Sequence, residues 1–139
     1  MQFVRLKTNN QQRIKMKSYI ELDVWKKARE LASVCYEITK SFPKEELFGL
    51  SSQMRRSAVS IPSNIAEGCG RNTSKDTIQF LFIARGSTYE LETQFYIAND
   101  LKYIDGVQLT KAIDLITECK KLLNGFINYY QSLTTQSNN

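Results

Sequence analysis

The chain contains no histidine. That absence removes the side chain that most often serves as a general base near neutral pH. It also removes the commonest metal ligand and the base of Ser–His and Cys–His nucleophile pairs. The Glu-x-x-His ligands of di-iron helix bundles go with it. Cysteine is scarce: Cys35, Cys69 and Cys119 lie far apart and no Cys-x-x-Cys pair exists. An odd, scattered set does not build a disulfide framework, so they read as free thiols, with Cys35 and Cys119 on apolar helix faces. Long apolar runs are missing too. The longest is Phe80–Ala84, against the roughly 20 residues a membrane span needs. Met1–Lys17 is polar and basic and lacks the apolar core of a secretory signal. These absences predict a cytoplasmic protein with no membrane association, no cofactor, no metal and no catalytic residue.

What is present is an ordinary globular balance, 42% apolar and 24% charged over 139 residues, which suits one domain with one core. The net charge is +5, and it is unevenly placed. Five of the 19 basic residues, Arg5, Lys7, Arg13, Lys15 and Lys17, fall in a stretch with no acidic residue, leaving 14 basic against 14 acidic residues from Ser18 onward. The excess therefore belongs to an N-terminal arm and not to the body. Met16 is an alternative start, which would make the preceding residues an extension. The expected organisation is a basic, flexible arm over 1–19, a bundle over 20–133 and a frayed polar tail over 134–139.

From Leu22 onward the apolar residues recur every three or four positions, the spacing of one helix face. Trp25, Ala28, Ala32, Cys35, Thr39 and Phe42 mark a first helix from about Leu22 to Ser41, ended by Phe42-Pro43. Leu47, Leu50, Met54, Ala58, Ile61 and Ile65 mark a second. Pro62 falls inside it and predicts a kink near Ala58–Pro62, and Gly68 and Gly70 predict a left-handed C-terminal cap. A third helix opens at Thr73 or Ser74, with Thr73 and Asp76 spaced for capping. Its stripe is Ile78, Leu81, Ala84, Thr88, Leu91, Phe95 and Ala98. Asp105-Gly106 breaks the chain, and Asp105 with Gln108 is spaced as another capping box. The fourth helix carries Leu109, Ile113, Ile116, Leu123, Phe126 and Tyr130. No segment reads as a strand. Four helices with short connections predict an all-α, antiparallel up-down four-helix bundle with a proline kink in helix two.

Helix three has a second stripe, Phe82, Gly86, Tyr89, Thr93 and Tyr96. It fits either a wide core face or a subunit interface, where aromatic residues are enriched. Phe82, Tyr89 and Tyr96 are the interface candidates. The densest polar segment is Arg55–Arg71. There Ser57, Ser60 and Ser63 recur every three residues, and Asn64 and Glu67 share one side of the helix. Pro62, Asn64, Glu67 and Gly68 read as a structural polar motif that fixes the helix and its exit. Arg55, Arg56, Arg71 and Lys75 are candidates for contacting nucleic acid, as are the five basic residues of the arm. Gly68-x-Gly70 follows a helix, not a strand, and is no phosphate loop. Glu90 and Glu92 do not share a helix face. They are assigned to ion pairing, with Arg55 or Arg56 as the expected partners across the bundle.

Several segments together carry a resemblance. They are Asp23-Val24-Trp25-Lys26-Lys27-Ala28, Gly49-Leu50, Gln53–Gly68 with its Ser60-Ile61-Pro62-Ser63-Asn64-Ile65-Ala66-Glu67-Gly68 core, Phe80-Leu81, Ile83–Ser87 and Glu90–Gln94. Over roughly Ile20 to Tyr130 the chain resembles the four-helix bundle family also called 23S ribosomal RNA intervening-sequence proteins, which are bacterial. The resemblance implies an antiparallel bundle that assembles into a ring-shaped homopentamer. It also implies kinship with accessory proteins of diversity-generating retroelements, which bind nucleic acid and a reverse transcriptase through a basic surface. It brings no catalytic residue. The long basic N-terminus departs from the family's usual start near Met16. The predicted function is a non-enzymatic oligomeric binding module for RNA or another nucleic acid, DNA included. The alternative is a protein-interaction scaffold or adaptor for a nucleic-acid-processing enzyme such as a reverse transcriptase.

Overall fold

The computed structural model describes residues 18–137. They form four α-helices: α1, Asp23–Thr39; α2, Leu50–Cys69; α3, Ser74–Asp100; and α4, Gly106–Ser137. Two 3-10 turns, Tyr19–Glu21 and Lys44–Glu46, precede α1 and α2, and no strand occurs among the described residues. The neighbouring pairs α1/α2, α2/α3, α3/α4 and α1/α4 all pack together. That closes a four-membered ring of helices around one core. Cross-helix hydrogen bonds give the directions. Thr77 reaches Gly68 and Ser87 reaches Ser60, while Arg85 reaches Asn124 and Lys120 reaches Glu92. Numbers rise on one member of each pair as they fall on the other, so α3 runs opposite to both α2 and α4.

Side-chain caps fix the starts of α2, α3 and α4. The Thr73 hydroxyl accepts from the Asp76 amide at 3.1 Å. Asp105 and Gln108 form the reciprocal box: the Gln108 amide donates to Asp105 Oδ1 at 2.8 Å, and the Asp105 amide to Gln108 Oε1 at 3.0 Å. Both caps satisfy donors that a helix start leaves open. The start of α2 is capped from outside. Glu46 Oε1 accepts from the Leu50 amide at 3.0 Å, and Glu46 Oε2 accepts from the Tyr103 hydroxyl at 2.8 Å. The Leu50 amide, and then the tyrosine hydroxyl, hold the Glu46 carboxyl below the usual carboxylate range. One side chain thus ties the α1–α2 connection to the α3–α4 connection.

The core is built as the periodicity requires. All seven residues of the α3 stripe, Ile78, Leu81, Ala84, Thr88, Leu91, Phe95 and Ala98, are buried. Phe95 and Phe126 are the largest side chains fully inside. Each such aromatic contributes about 1.5–3 kcal/mol by leaving water. On α1 the inner face is centred one position off the expected stripe. Val24, Leu31 and Ile38 are buried beside Ala28 and Cys35, while Trp25 and Ala32 flank the core.

Two expectations need correction. Leu47 is not the first core residue of α2: it is exposed, and the helix begins at Leu50. Gly68 and Gly70 do not form a left-handed cap. No described glycine has positive φ, and Gly70 caps the helix in right-handed geometry. At its C-terminal end α4 continues to Ser137, and the Thr134 hydroxyl donates to the Tyr130 carbonyl at 3.1 Å. Between α3 and α4, Lys102 takes the left-handed conformation, at φ 62°. It sits in a doubly bonded helix exit, with the Lys102 amide on the Asn99 carbonyl and the Tyr103 amide on the Ala98 carbonyl. Residues with a Cβ resist that conformation. Lys102→Gly is therefore expected to stabilise the fold by about 0.5–1 kcal/mol, read as a raised midpoint in urea unfolding. As for Pro62, α2 runs through it as a single helical span.

Candidate functional site

Among the described residues, the basic candidates proposed from the sequence do not form one surface. Arg5, Lys7, Arg13, Lys15 and Lys17 lie outside the described residues. Arg55 and Arg56 stand near the start of α2, and Arg71 with Lys75 at its far end. At a rise of ~1.5 Å per residue, Arg55 and Arg56 stand about 20 Å from the end of α2 beside which Arg71 and Lys75 lie. Their chemistry differs as well. Arg71 is held by Glu67 at 3.0 Å and lies over the Phe80 ring at 4.4 Å. Lys27 is paired with Glu30 and Glu118, Lys40 with Glu37, and Lys120 with Glu92. No carboxylate pairs with Arg55 or Arg56 among the described residues.

Around Arg55 and Arg56 the surface opens into a groove of about 640 Å³. Tyr36 of α1, Leu47 and Phe48 of the connection, and Ser52, Arg55, Arg56, Val59 and Ser60 of α2 line it. Arg55 is aimed by its neighbours. Its Nε donates to the Thr39 hydroxyl at 2.8 Å, and its guanidinium lies 4.8 Å from the centre of the Tyr36 ring. Arg56 is exposed. Phe48 is 93% exposed, although it sits between two anchored residues. Leu47 bonds back to Lys44, and Gly49 bonds to the Glu46 carbonyl. The sequence reading missed Phe48. The signal was there: Leu47 and Phe48 are adjacent, and neighbouring residues cannot both face one core from the same helix.

The remaining candidates are placed as follows. Glu92 pairs with Lys120, not with Arg55 or Arg56, because it lies on the α4 side of α3 while Arg55 turns toward α1. Glu90 is exposed. The polar segment of α2 faces α3. Asn64 Nδ2 donates to the carbonyl and to the hydroxyl of Ser60, at 2.8 and 2.9 Å, and the Ser87 hydroxyl reaches Ser60 Oγ at 2.9 Å. Ser57 bonds only within its own helix, to the Gln53 carbonyl, and Ser63 is exposed. Gly68 is a close-approach residue. A Cβ there would lie 3.1 Å from Phe80 Cβ and 3.2 Å from the Thr77 carbonyl oxygen. The second stripe of α3 divides. Phe82 packs partly against the core under Arg85. Tyr89 and Tyr96 stay about half exposed, with Ile83, Ile97 and Leu101 exposed along the same helix.

The thiols carry no reactivity signal. Burial pushes Cys35 and Cys119 up to about 12 and Cys69 up to about 11. Each stays protonated near neutral pH, and a thiol is a weak nucleophile in that form. No helix of the described residues is long and apolar enough to cross a membrane.

The geometry defines a small all-α protein of four helices with an arginine-lined aromatic groove. The family model of the 23S rRNA-intervening sequence protein matches residues 20–125, and the chain belongs to that family. A crystal structure from Bacteroides thetaiotaomicron VPI-5482 is similar, with a TM-score of 0.68 at 29% identity. The match covers 75% of this chain and 97% of that one, which is described as a protein with unknown function from the S23 ribosomal protein family. No curated protein matches the chain.

Proposed function

We propose that the protein is a non-enzymatic, self-assembling, cytoplasmic binding module that associates with RNA or another nucleic acid. The observation that carries this reading is the company Arg55 and Arg56 keep: both line an open groove beside Tyr36 and the exposed Phe48. Lys27, Lys40, Arg71 and Lys120 are neutralised by carboxylates, whereas Arg55 and Arg56 face an open groove with none. A cation without an anionic partner beside exposed aromatic rings suits a phosphate chain. The basic residues of the arm, Arg5 to Lys17, add attraction from outside the described residues.

The test is binding of a fluorescein-labelled RNA, titrated with salt, by the full chain and by a chain starting at Met16. Affinity is expected to fall steeply with salt, because each neutralised phosphate releases counterions. Equal salt slopes for the two chains assign the site to the bundle. Binding by the full chain alone assigns it to the arm. Binding by neither, or binding unchanged between low and physiological salt, defeats the reading.

A second reading has its own observation. The open face of α3, with Tyr89 and Tyr96 about half exposed, favours a protein contact, either a second copy of the chain or an enzyme that processes nucleic acid. The pentamer implied by the family resemblance would use such a face.

A further inference from the structure

We infer that the groove at the start of α2 selects single-stranded nucleic acid, with an unpaired base stacked on Phe48 and the adjoining phosphates on Arg55 and Arg56. This rests on the nucleic-acid reading above and adds the class of ligand and the residue that selects it.

The first ground is the display of Phe48. A phenyl ring left 93% in water costs the free protein its burial energy. Chain motion does not explain the exposure, because the turn that carries the ring is fixed at both sides. Glu46 alone bonds to the Leu50 amide and to the Tyr103 hydroxyl, and its carbonyl accepts from the Gly49 amide. A ring held out by a pinned turn offers a flat apolar face at little further entropic cost on binding.

The second ground is charge complementarity. Arg55 cannot swing freely, since Thr39 holds its Nε and Tyr36 lies under its plane. It lines the groove together with Arg56, one residue on. The acidic residues nearby are Glu37, Glu45 and Glu46. Glu37 is paired with Lys40, and Glu46 is committed to its two hydrogen bonds. Those donors are neutral, so Glu46 keeps its charge; it and Glu45, exposed on the preceding turn, stand against the two arginines, but neither lines the groove.

The third ground is what duplexes and peptides lack. Paired bases are stacked inside a helix and present no face to a protruding phenyl ring, so a duplex would engage the arginines alone. Unpaired bases stack on aromatic side chains irrespective of sequence, and guanidinium groups beside them hold the backbone. An acidic peptide would satisfy the arginines but matches Phe48 only where it happens to carry an aromatic side chain, whereas every unpaired base has a flat face.

The experiment compares a labelled oligouridine 12-mer with a blunt 12-base-pair RNA duplex, by fluorescence anisotropy on the full chain. The single strand is expected to bind more tightly. Phe48→Ala is expected to weaken single-strand binding about tenfold, Phe48→Trp to preserve it, and Arg56→Ala to weaken it and flatten its salt dependence. Circular dichroism of each variant checks the fold, which a side chain this exposed does not hold together. Single-strand binding unaltered in Phe48→Ala overturns the inference, leaves the broader nucleic-acid reading standing, and points the groove to a protein partner. A duplex bound as tightly as the single strand also overturns it. A wild-type chain that binds neither probe defeats both readings together.

Discussion

Replacing Gly68 with valine is expected to destabilise the fold by about 2–3 kcal/mol and to lower the thermal midpoint by about 10 °C. Gly68 is buried where α2 meets the first turns of α3. A Cβ placed on it would sit 3.1 Å from Phe80 Cβ and 3.2 Å from the Thr77 carbonyl oxygen. Both atoms are attached directly to the α3 backbone, so neither can move aside without moving the helix. The two γ-methyl groups of valine would press further into the same space. The contact is also bonded, since the Thr77 hydroxyl donates to the Gly68 carbonyl at 2.8 Å. Forcing the helices apart would leave that buried carbonyl without its cross-helix donor. Alanine at the same position separates space from propensity. It gains about 1 kcal/mol as a better helix former than glycine, and the crowded Cβ offsets that gain, so Gly68→Ala is expected to shift the midpoint far less than valine. The two variants, measured by thermal unfolding at one protein concentration, tell crowding apart from flexibility. An unchanged midpoint for valine would mean that α3 yields at Phe80, and that Gly68 holds no close approach.

That role was not legible in the sequence, and the reason is physical. Two glycines after a helical stripe fit a left-handed cap as well as a tight helix contact, because both need the absence of a Cβ. Only the placement of α3 decides between them. The same limit applies to Ser60, Asn64 and Ser87, whose bonds depend on the register of one helix against another. By contrast, the α3 stripe from Ile78 to Ala98 was fully legible. It is long, strictly periodic and faces one core, so the hydrophobic pattern alone fixed its inward side. The Thr73 and Asp105 caps were legible for a related reason: a cap is made within four residues and needs no tertiary partner. Errors gathered where local and tertiary demands compete. Leu47 fits the period of α2, yet Glu46 caps the Leu50 amide and starts the helix three residues later. Lys102, which no local signal marks, takes the left-handed conformation because the bonds to Ala98 and Asn99 require it there. The arginines of α2 could be named from the sequence. That Arg71 pairs with Glu67, four residues back, was within reach of local spacing; that Arg55 and Arg56 have no carboxylate was not, because packing decides which helix faces lie beside them.

Tyr89→Asp is expected to turn a self-associated chain into a monomer while leaving its helical circular dichroism unchanged. The expectation rests on the proposed use of the open α3 face for self-association. Tyr89 is half exposed and outside the core, so its loss opens no cavity. Its ring touches Lys120 Nζ at 4.9 Å, and an aspartate would sit within reach of that cation, which tempers any cost to the monomer. In an assembled interface the same aspartate would be stripped of water among apolar groups, and an uncompensated buried charge costs about 3–5 kcal/mol. That corresponds to more than a hundredfold in an association constant. Gly86, one turn away, supplies an internal check. Nothing lies within 4 Å of a Cβ built there, so in a monomer Gly86→Ala should simply stabilise the helix by about 1 kcal/mol. If a second copy packs on this face, the added methyl meets it, and association weakens even as the unfolding midpoint of the monomer rises. Light scattering across a concentration series reads both variants, and a monomeric wild type would remove the self-association proposal outright. The consequence for binding follows from valency. One groove with two arginines and one exposed phenyl ring makes few contacts, whereas several copies on one strand raise the effective concentration of each groove for the next. Tyr89→Asp should therefore weaken binding to a long single-stranded RNA much more than to a 12-mer, although Tyr89 is not among the residues that line the groove.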